Sequence, residues 1–227
     1  MPKQENQEIT RDEIKKEFQL ERMILFSDAV FAIVITLMAI EIKLPETDSL
    51  HKLDEQPGIL IQIAPALIAY CVSFFFIGAI WYQHLKIFSL LKDYDKGLVI
   101  RNLLLLFFIG LFPFSATMVT MAKNNIFAFY IYLGIILICI LAQYILHHYI
   151  LVKKPELRVN VNIDDHLLDL QKRKISLICF IVTICLIIIT RFFIIDPQLK
   201  PLATLWMIAF PIVYRFIISK KVRLKAA

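Results

Sequence analysis

Glycine and cysteine are scarce in this 227-residue chain, at five and four residues, and several patterns are missing altogether. No stretch alternates apolar and polar residues over ten positions, which argues against a transmembrane β-barrel. Cys71, Cys139, Cys179 and Cys185 form no CxxC pair, have no histidine at metal-ligand spacing and all fall inside apolar stretches. They read as buried spectators, with neither a disulfide nor a zinc site expected. A cleavable signal peptide does not fit: the first 21 residues are charged and polar, and the first apolar run leads into EIKLPE without a small-residue cleavage site. Enzyme chemistry is equally poorly supplied. His147-His148 and Asp164-Asp165-His166 are its only candidates. Nothing nearby offers a nucleophile or a phosphate cradle, so they read as solvated loop ends.

Apolar residue is what the chain has in abundance: 59% of positions, with a mean hydropathy of +0.71. Several runs exceed the roughly 18–20 residues that a helix needs to cross the hydrocarbon core. The expected fold is therefore an all-α integral membrane protein with six transmembrane helices. Residues 1–21 form an N-terminal tail that becomes helical towards Arg22, residues 22–219 the membrane domain, and residues 220–227 a basic C-terminal tail. The expected spans are 22–44, 59–83, 98–121, 126–152, 175–195 and 201–219. Pro113 should kink the third, with Ser115 and Thr117 satisfying the freed backbone groups. The short connector AKNN makes spans three and four a tight hairpin. A short surface helix is expected after the cap signals between Asn162 and Asp165.

Lysine and arginine set the orientation. Five lie in the N-tail through Arg22, four between spans two and three, six between spans four and five, and five from Arg215 onward; the opposite side has five in all. Both termini should then be cytoplasmic. The net charge of +6 follows from this clustering at helix ends, and nucleic-acid binding is not expected.

Span one, RMILFSDAVFAIVITLMAIEIKL, carries Ser27, Asp28 and Thr36 inside it. An aspartate at the centre of a span is unfavourable by about 2.5–3.5 kcal/mol on insertion scales, so Asp28 needs a reason. Trp81, His84, Arg101 and Asn102 fall at comparable depth; Trp81 and Tyr82 also suit an interfacial belt. Asp28 should be held by such donors, with His84 and Arg22 expected as its partners and Asn102 as a neutral third. Two readings are open: a staple joining helices one to three, or a proton-coupled secondary transporter using Asp28 and His84. The transporter reading needs an inverted repeat, and spans four to six carry no echo of FSD. By helical angle Asp28 lies about 140° from Ile33, on the side of Ala32 and Ala39, where small residues would let neighbouring helices approach.

The other side of span one carries Phe26, Val30, Ile33, Leu37, Ile40 and Leu44, spaced alternately by four and three. Thr36 lies just beside this seam. Such a stripe can face lipid or pack a core. It can also form a symmetric axis where copies of the helix meet in a hydrophobic constriction. Periodicity alone does not choose.

The run from Arg22 through Phe26-Ser27-Asp28 to Phe31-Ala32-Ile33 and Thr36-Leu37 resembles the signature of the transmembrane-protein-175 family of potassium channels. The likeness extends to Trp81-x-x-His84, to Arg101-Asn102 and to Pro113-Phe114. It implies six helices per repeat and, with one FSD motif, a homotetramer whose first helix lines a central pore without a TVGYG filter. By position, the resemblance makes Ile33, Leu37 and Ile40 the constriction, and gives Arg22, Phe26, Ser27, Asp28, Trp81, His84 and Asn102 to an inter-helix hydrogen-bond network. Where some relatives carry a hydroxyl, this chain has Ile40, leaving Thr36 as the pore-flanking hydroxyl. The same resemblance implies passive passage of potassium with no cofactor, in the cell membrane of a bacterium, with lipid and further copies of the chain as partners. Glu41, Glu46 and Asp48 would then stand near the outer mouth and could concentrate cations there.

Overall fold

The computed structural model describes residues 11–40, 59–121, 126–160, 162–194, 196, 199–207, 209 and 211–217. Six α-helices account for most of them: α1 (Arg11–Ile40), α2 (Ile59–Phe88), α3 (Lys96–Gly110), α4 (Phe112–Met121), α5 (Ile126–His148) and α6 (Asp164–Phe193). A π turn at Tyr149–Lys153 and a 3₁₀ turn at Pro155–Leu157 follow α5, and a second 3₁₀ turn spans Lys200–Leu205. Residues 211–217 are again helical.

Among the described residues five stretches are long and apolar enough to cross a membrane, with α3 and α4 together making one of them. The sixth expected span, 201–219, opens as the 3₁₀ turn and is described in part. The AKNN connector, Leu44, Glu41, Glu46 and Asp48 lie outside the described residues.

Long helices form where nothing interrupts them. Neither glycine nor proline occurs between Arg11 and Leu44, and α1 accordingly already includes Arg11, inside the charged tail. The same holds for α6, which corrects an expectation. No separate surface helix precedes span five, because the polar start and the apolar run form one 30-residue helix. Asn162 Oδ1 accepts from the Asp164 N–H at 2.9 Å as it begins. α2 also outruns its expected end at residue 83, since Leu85, Ile87 and Phe88 continue the apolar pattern.

Span three breaks at Leu111, ahead of Pro113. The hydroxyls do not cap the break itself. Ser115 Oγ donates to Phe112 O and Thr117 Oγ1 to Pro113 O, both inside α4.

The core threads between α1, α2, α3, α4 and α5, through Phe31, Ile77, Leu98, Leu105, Ile109, Phe112 and Leu146. The cysteines are unpaired, but two of the four, Cys71 and Cys185, are exposed rather than buried. In lipid an exposed apolar surface carries no penalty, so their place within the spans did not require burial. At the basic end, residues 89–95 lie against the turn after α5: Val159 N–H donates to Leu90 O and Lys92 N–H to Leu157 O. Lys16 reaches Asp93 at 3.3 Å, and Tyr94 bonds Gln19, tying the start of α1 to the same connector.

Candidate functional site

α1 has two distinct faces. Leu20, Ser27, Phe31, Val34 and Met38 are buried, at the three- and four-residue spacing of a helix seam. Opposite them Phe26, Ile33, Leu37 and Ile40 are 53%, 56%, 44% and 75% exposed. Val30 departs from this stripe and is partly buried against the core. Thr36 is exposed beside it, its Oγ1 donating back to Ala32 O and Ile33 O at 3.1 and 2.9 Å. The hydroxyl proton is thus satisfied within the helix, and the oxygen's lone pairs are free to face outward.

The buried face contains a directed chain of hydrogen bonds. His84 Nε2 lies 2.9 Å from Asn102 Oδ1, Asn102 Nδ2 donates to Ser27 Oγ at 2.8 Å, and Ser27 Oγ donates to Met23 O at 2.9 Å. Because the Asn102 oxygen can only accept, Nε2 carries the imidazole proton. One residue from each of α1, α2 and α3 is joined, and all three side chains are buried. His84 stacks on Phe88 with centroids 3.8 Å apart and meets Phe31 at 5.5 Å. Lipid gives helices little hydrophobic reason to associate, so packing and such bonds carry the register.

Asp28 is not part of this chain. Its Oδ1 accepts from the Trp81 indole N–H at 2.9 Å. Neither expected partner bonds it: His84 is turned to Asn102, and Arg22 lies over the Phe18 ring at 5.9 Å. The reason is lateral. At roughly 100° per residue Asp28 stands about 100° around the helix from Ser27, at the margin of the buried seam, where Trp81 on the half-open side of α2 can reach it. Ala32 and Ala39, expected to admit a neighbouring helix of the same chain, are exposed. Asp28 and His84 therefore form no hydrogen-bonded acid–base pair, and the proton-coupled reading is not favoured.

A second polar node carried no sequence signal. Asp95 caps α3, accepting from Leu98 N–H at 2.7 Å, and also accepts from the Tyr149 hydroxyl at 2.5 Å. Burial pushes the Asp95 carboxyl up, but these bonds outweigh it and hold it below the usual carboxylate range. Arg101 lies 3.9 Å over the Tyr149 ring and donates to Gly97 O. A side chain on Gly97 would run into that tyrosine hydroxyl. The π turn beginning at Tyr149 aims the ring here; local sequence does not announce such a turn. Gln143, whose Nε2 donates to Ile80 O, and the Ser73–Tyr132 pair at 2.8 Å are further bonds between helices that spacing did not reveal.

Among the described residues no cluster of His, Cys, Asp or Glu could hold a metal ion.

Residues 22–113 match the family model described as the endosomal/lysosomal potassium channel TMEM175. A potassium channel of Streptomyces collinus is 38% identical over 101 residues, covering 43% of this chain and 46% of that protein. A potassium channel of Chamaesiphon minutus is 36% identical over 109 residues, 47% of this chain and 52% of that one. The chain spans about half the length of the curated relatives it matches. The solved lysosomal potassium-selective channel TMEM175 homolog from Chamaesiphon minutus superposes with a TM-score of 0.65 at 24% identity, covering 86% of this chain and 98% of that one. The fold is therefore shared well beyond the stretch where sequence is similar. The stretch that matches the TMEM175 family model, residues 22–113, is the one that holds both the exposed stripe of α1 and the buried His84–Asn102–Ser27 chain.

Proposed function

We propose that this chain is the subunit of a potassium-permeable channel, passive and without a cofactor, assembled as a homotetramer around α1. The observation that carries the reading is the exposed stripe of Ile33, Leu37 and Ile40 on the face of α1 turned away from its own bundle. Copies meeting along that face would place three aliphatic rings on the axis, a constriction that gates by dewetting. Aliphatic rings offer no ligands to a bare cation, so ions cross largely hydrated, and selectivity is modest beside that of a carbonyl filter. Thr36 would supply outward lone pairs next to the constriction. The polar network of Ser27, Asp28, Trp81, His84 and Asn102 acts as a staple that holds α1 in register, with Phe26 and Arg22 flanking it. Both termini are cytoplasmic in this reading, and the protein is a multi-pass protein of the cell membrane.

Planar-bilayer recording with a potassium gradient and no proton gradient tests it. A reversal potential set by potassium, and a larger conductance in Leu37→Ala, are expected. No current, or a reversal potential that moves only with pH, would sink the reading.

A further inference from the structure

Away from α1, a cavity of about 360 Å³ lies between α2, α5, α6 and the last segment of the chain. Its wall is aliphatic and aromatic, with Phe76, Ile136, Ile140 and Phe180 prominent, and it is partly open to the outside of the bundle. Its volume is within the range of small-molecule sites, about 300–1,000 Å³. At one end stand Gln83 and Arg173. Nε and Nη1 of Arg173 are buried and have no hydrogen-bond partner among the described residues.

The natural counter-ion for this guanidinium is already engaged. Asp169, one turn earlier on α6, accepts from Lys86 at 2.5 Å through Oδ2 and from Lys172 at 2.9 Å through Oδ1. One carboxylate thus faces three cations, and Arg173, part-buried with its Nε and Nη1 enclosed, is left without a bonded anion among the described residues. A buried charge in that condition calls for an external partner of opposite sign.

The position of Arg173 says what kind. It is the last arginine before the apolar run of α6, and the end of α2 beside it bears Lys86, so this end of the cavity lies on the basic, polar edge of the bundle. From Gln83 to Val72, both on the cavity wall, α2 advances about 16 Å. That is roughly half of a 30 Å hydrocarbon core, the depth of one leaflet. Basic pockets between membrane helices at this level suit anionic headgroups. A free anion would leave the apolar wall uncovered, and a zwitterionic lipid would bring its own cation to the arginine.

We propose that this cavity binds an anionic phospholipid, with the phosphate on Arg173 and one acyl chain along the α2–α5–α6 wall. The site is separate from α1 and does not depend on the channel reading.

Native mass spectrometry of the purified full chain tests it, using dioleoyl-phosphatidylglycerol, dioleoyl-phosphatidylcholine and inorganic phosphate as probes. A charge-assisted contact predicts about tenfold preference for phosphatidylglycerol over phosphatidylcholine. Arg173→Gln should bring the two to parity. Ile140→Trp, which fills the cavity and leaves the arginine, should abolish retention of phosphatidylglycerol. Equal retention of the two lipids by the parent chain, an unchanged preference in Arg173→Gln, or lipid still retained by Ile140→Trp would each overturn the proposal. So would displacement of phosphatidylglycerol by millimolar inorganic phosphate, since the headgroup alone would then suffice.

Discussion

Asn102→Leu removes the middle of the buried chain that joins α1, α2 and α3, and its effect can be worked out from the bonds it strands. Two side-chain bonds are lost, to His84 and to Ser27. Interhelical bonds of this kind average about 0.6 kcal/mol in membranes and reach about 1.7. The loss is unequal at its two ends. Ser27 Oγ keeps its proton on Met23 O, whereas the Nε2–H of His84 is left buried without an acceptor, a penalty of about 1–3 kcal/mol. The sum is about 2–4 kcal/mol, a shift of roughly 30- to 1,000-fold in the unfolding equilibrium. Reversible unfolding in mixed dodecyl-maltoside and dodecyl-sulfate micelles would read it. The diagnostic comparison is the double variant His84→Phe with Asn102→Leu. Both polar groups are then gone, and a phenyl ring can take over the stack on Phe88, so most of the lost stability should return. If Asn102→Leu lies within about 0.5 kcal/mol of the parent, or if the double variant equals the sum of the singles, the directed chain does not hold these helices.

Trp81→Phe deletes the donor to Asp28 and should destabilise by about 0.6–1.7 kcal/mol in the same assay; Asp28→Asn keeps an acceptor for the indole and should cost less. Gly97→Ala should displace Tyr149 from Asp95, seen as accelerated amide exchange across the π turn at Tyr149–Lys153 relative to the parent. Asp95→Ala removes the cap of α3 and should cost about 1 kcal/mol at neutral pH. Because the folded carboxyl of Asp95 is held low, its contribution is present above the usual carboxylate range and fades as the pH falls through the folded value. Parent and Asp95→Ala should therefore converge in stability once the pH falls below the usual carboxylate range and through the lowered folded value, and a gap that persists in stronger acid would show that the charge is not what caps the helix.

How much of this was legible in the sequence follows from the length scale of each signal. Helix spans depend on long runs of apolar residue, and α1, α5 and the break near Pro113 are legible directly. The start of α6 is not legible, because a change from polar to apolar composition looks like a change of element, although a helix continues through such a change when no residue stops it. The polar site was legible at the level of depth but not of azimuth. Ser27, Asp28, Trp81, His84 and Asn102 were found together because they lie at one level, yet the pairing within the group depends on a few tens of degrees of helix rotation. That rotation gave Asp28 to Trp81 and His84 to Asn102. The Asp95–Tyr149 contact joins residues 54 apart in sequence through a π turn, and nothing local marks it.

The same rotation gives α1 its two roles. In lipid, burying Phe31, Val34 and Met38 adds little drive by itself, since the membrane solvates those side chains about as well as a neighbouring helix does. What distinguishes the buried face is that Ser27 sits in it and is reachable from Asn102, so one hydrogen bond at a fixed level selects one rotation of the whole helix. Once that rotation is set, the positions of Ile33, Leu37 and Ile40 are no longer free: 3.6-residue periodicity carries them to the outside of the bundle. A variant that loosens the Ser27–Asn102 bond should therefore alter the exposed stripe without touching any residue in it. Cysteine accessibility measured at position 33 or 37 in a Ser27→Ala background would reveal this as a redistribution of labelling around α1, and identical labelling in both backgrounds would show that packing alone sets the rotation.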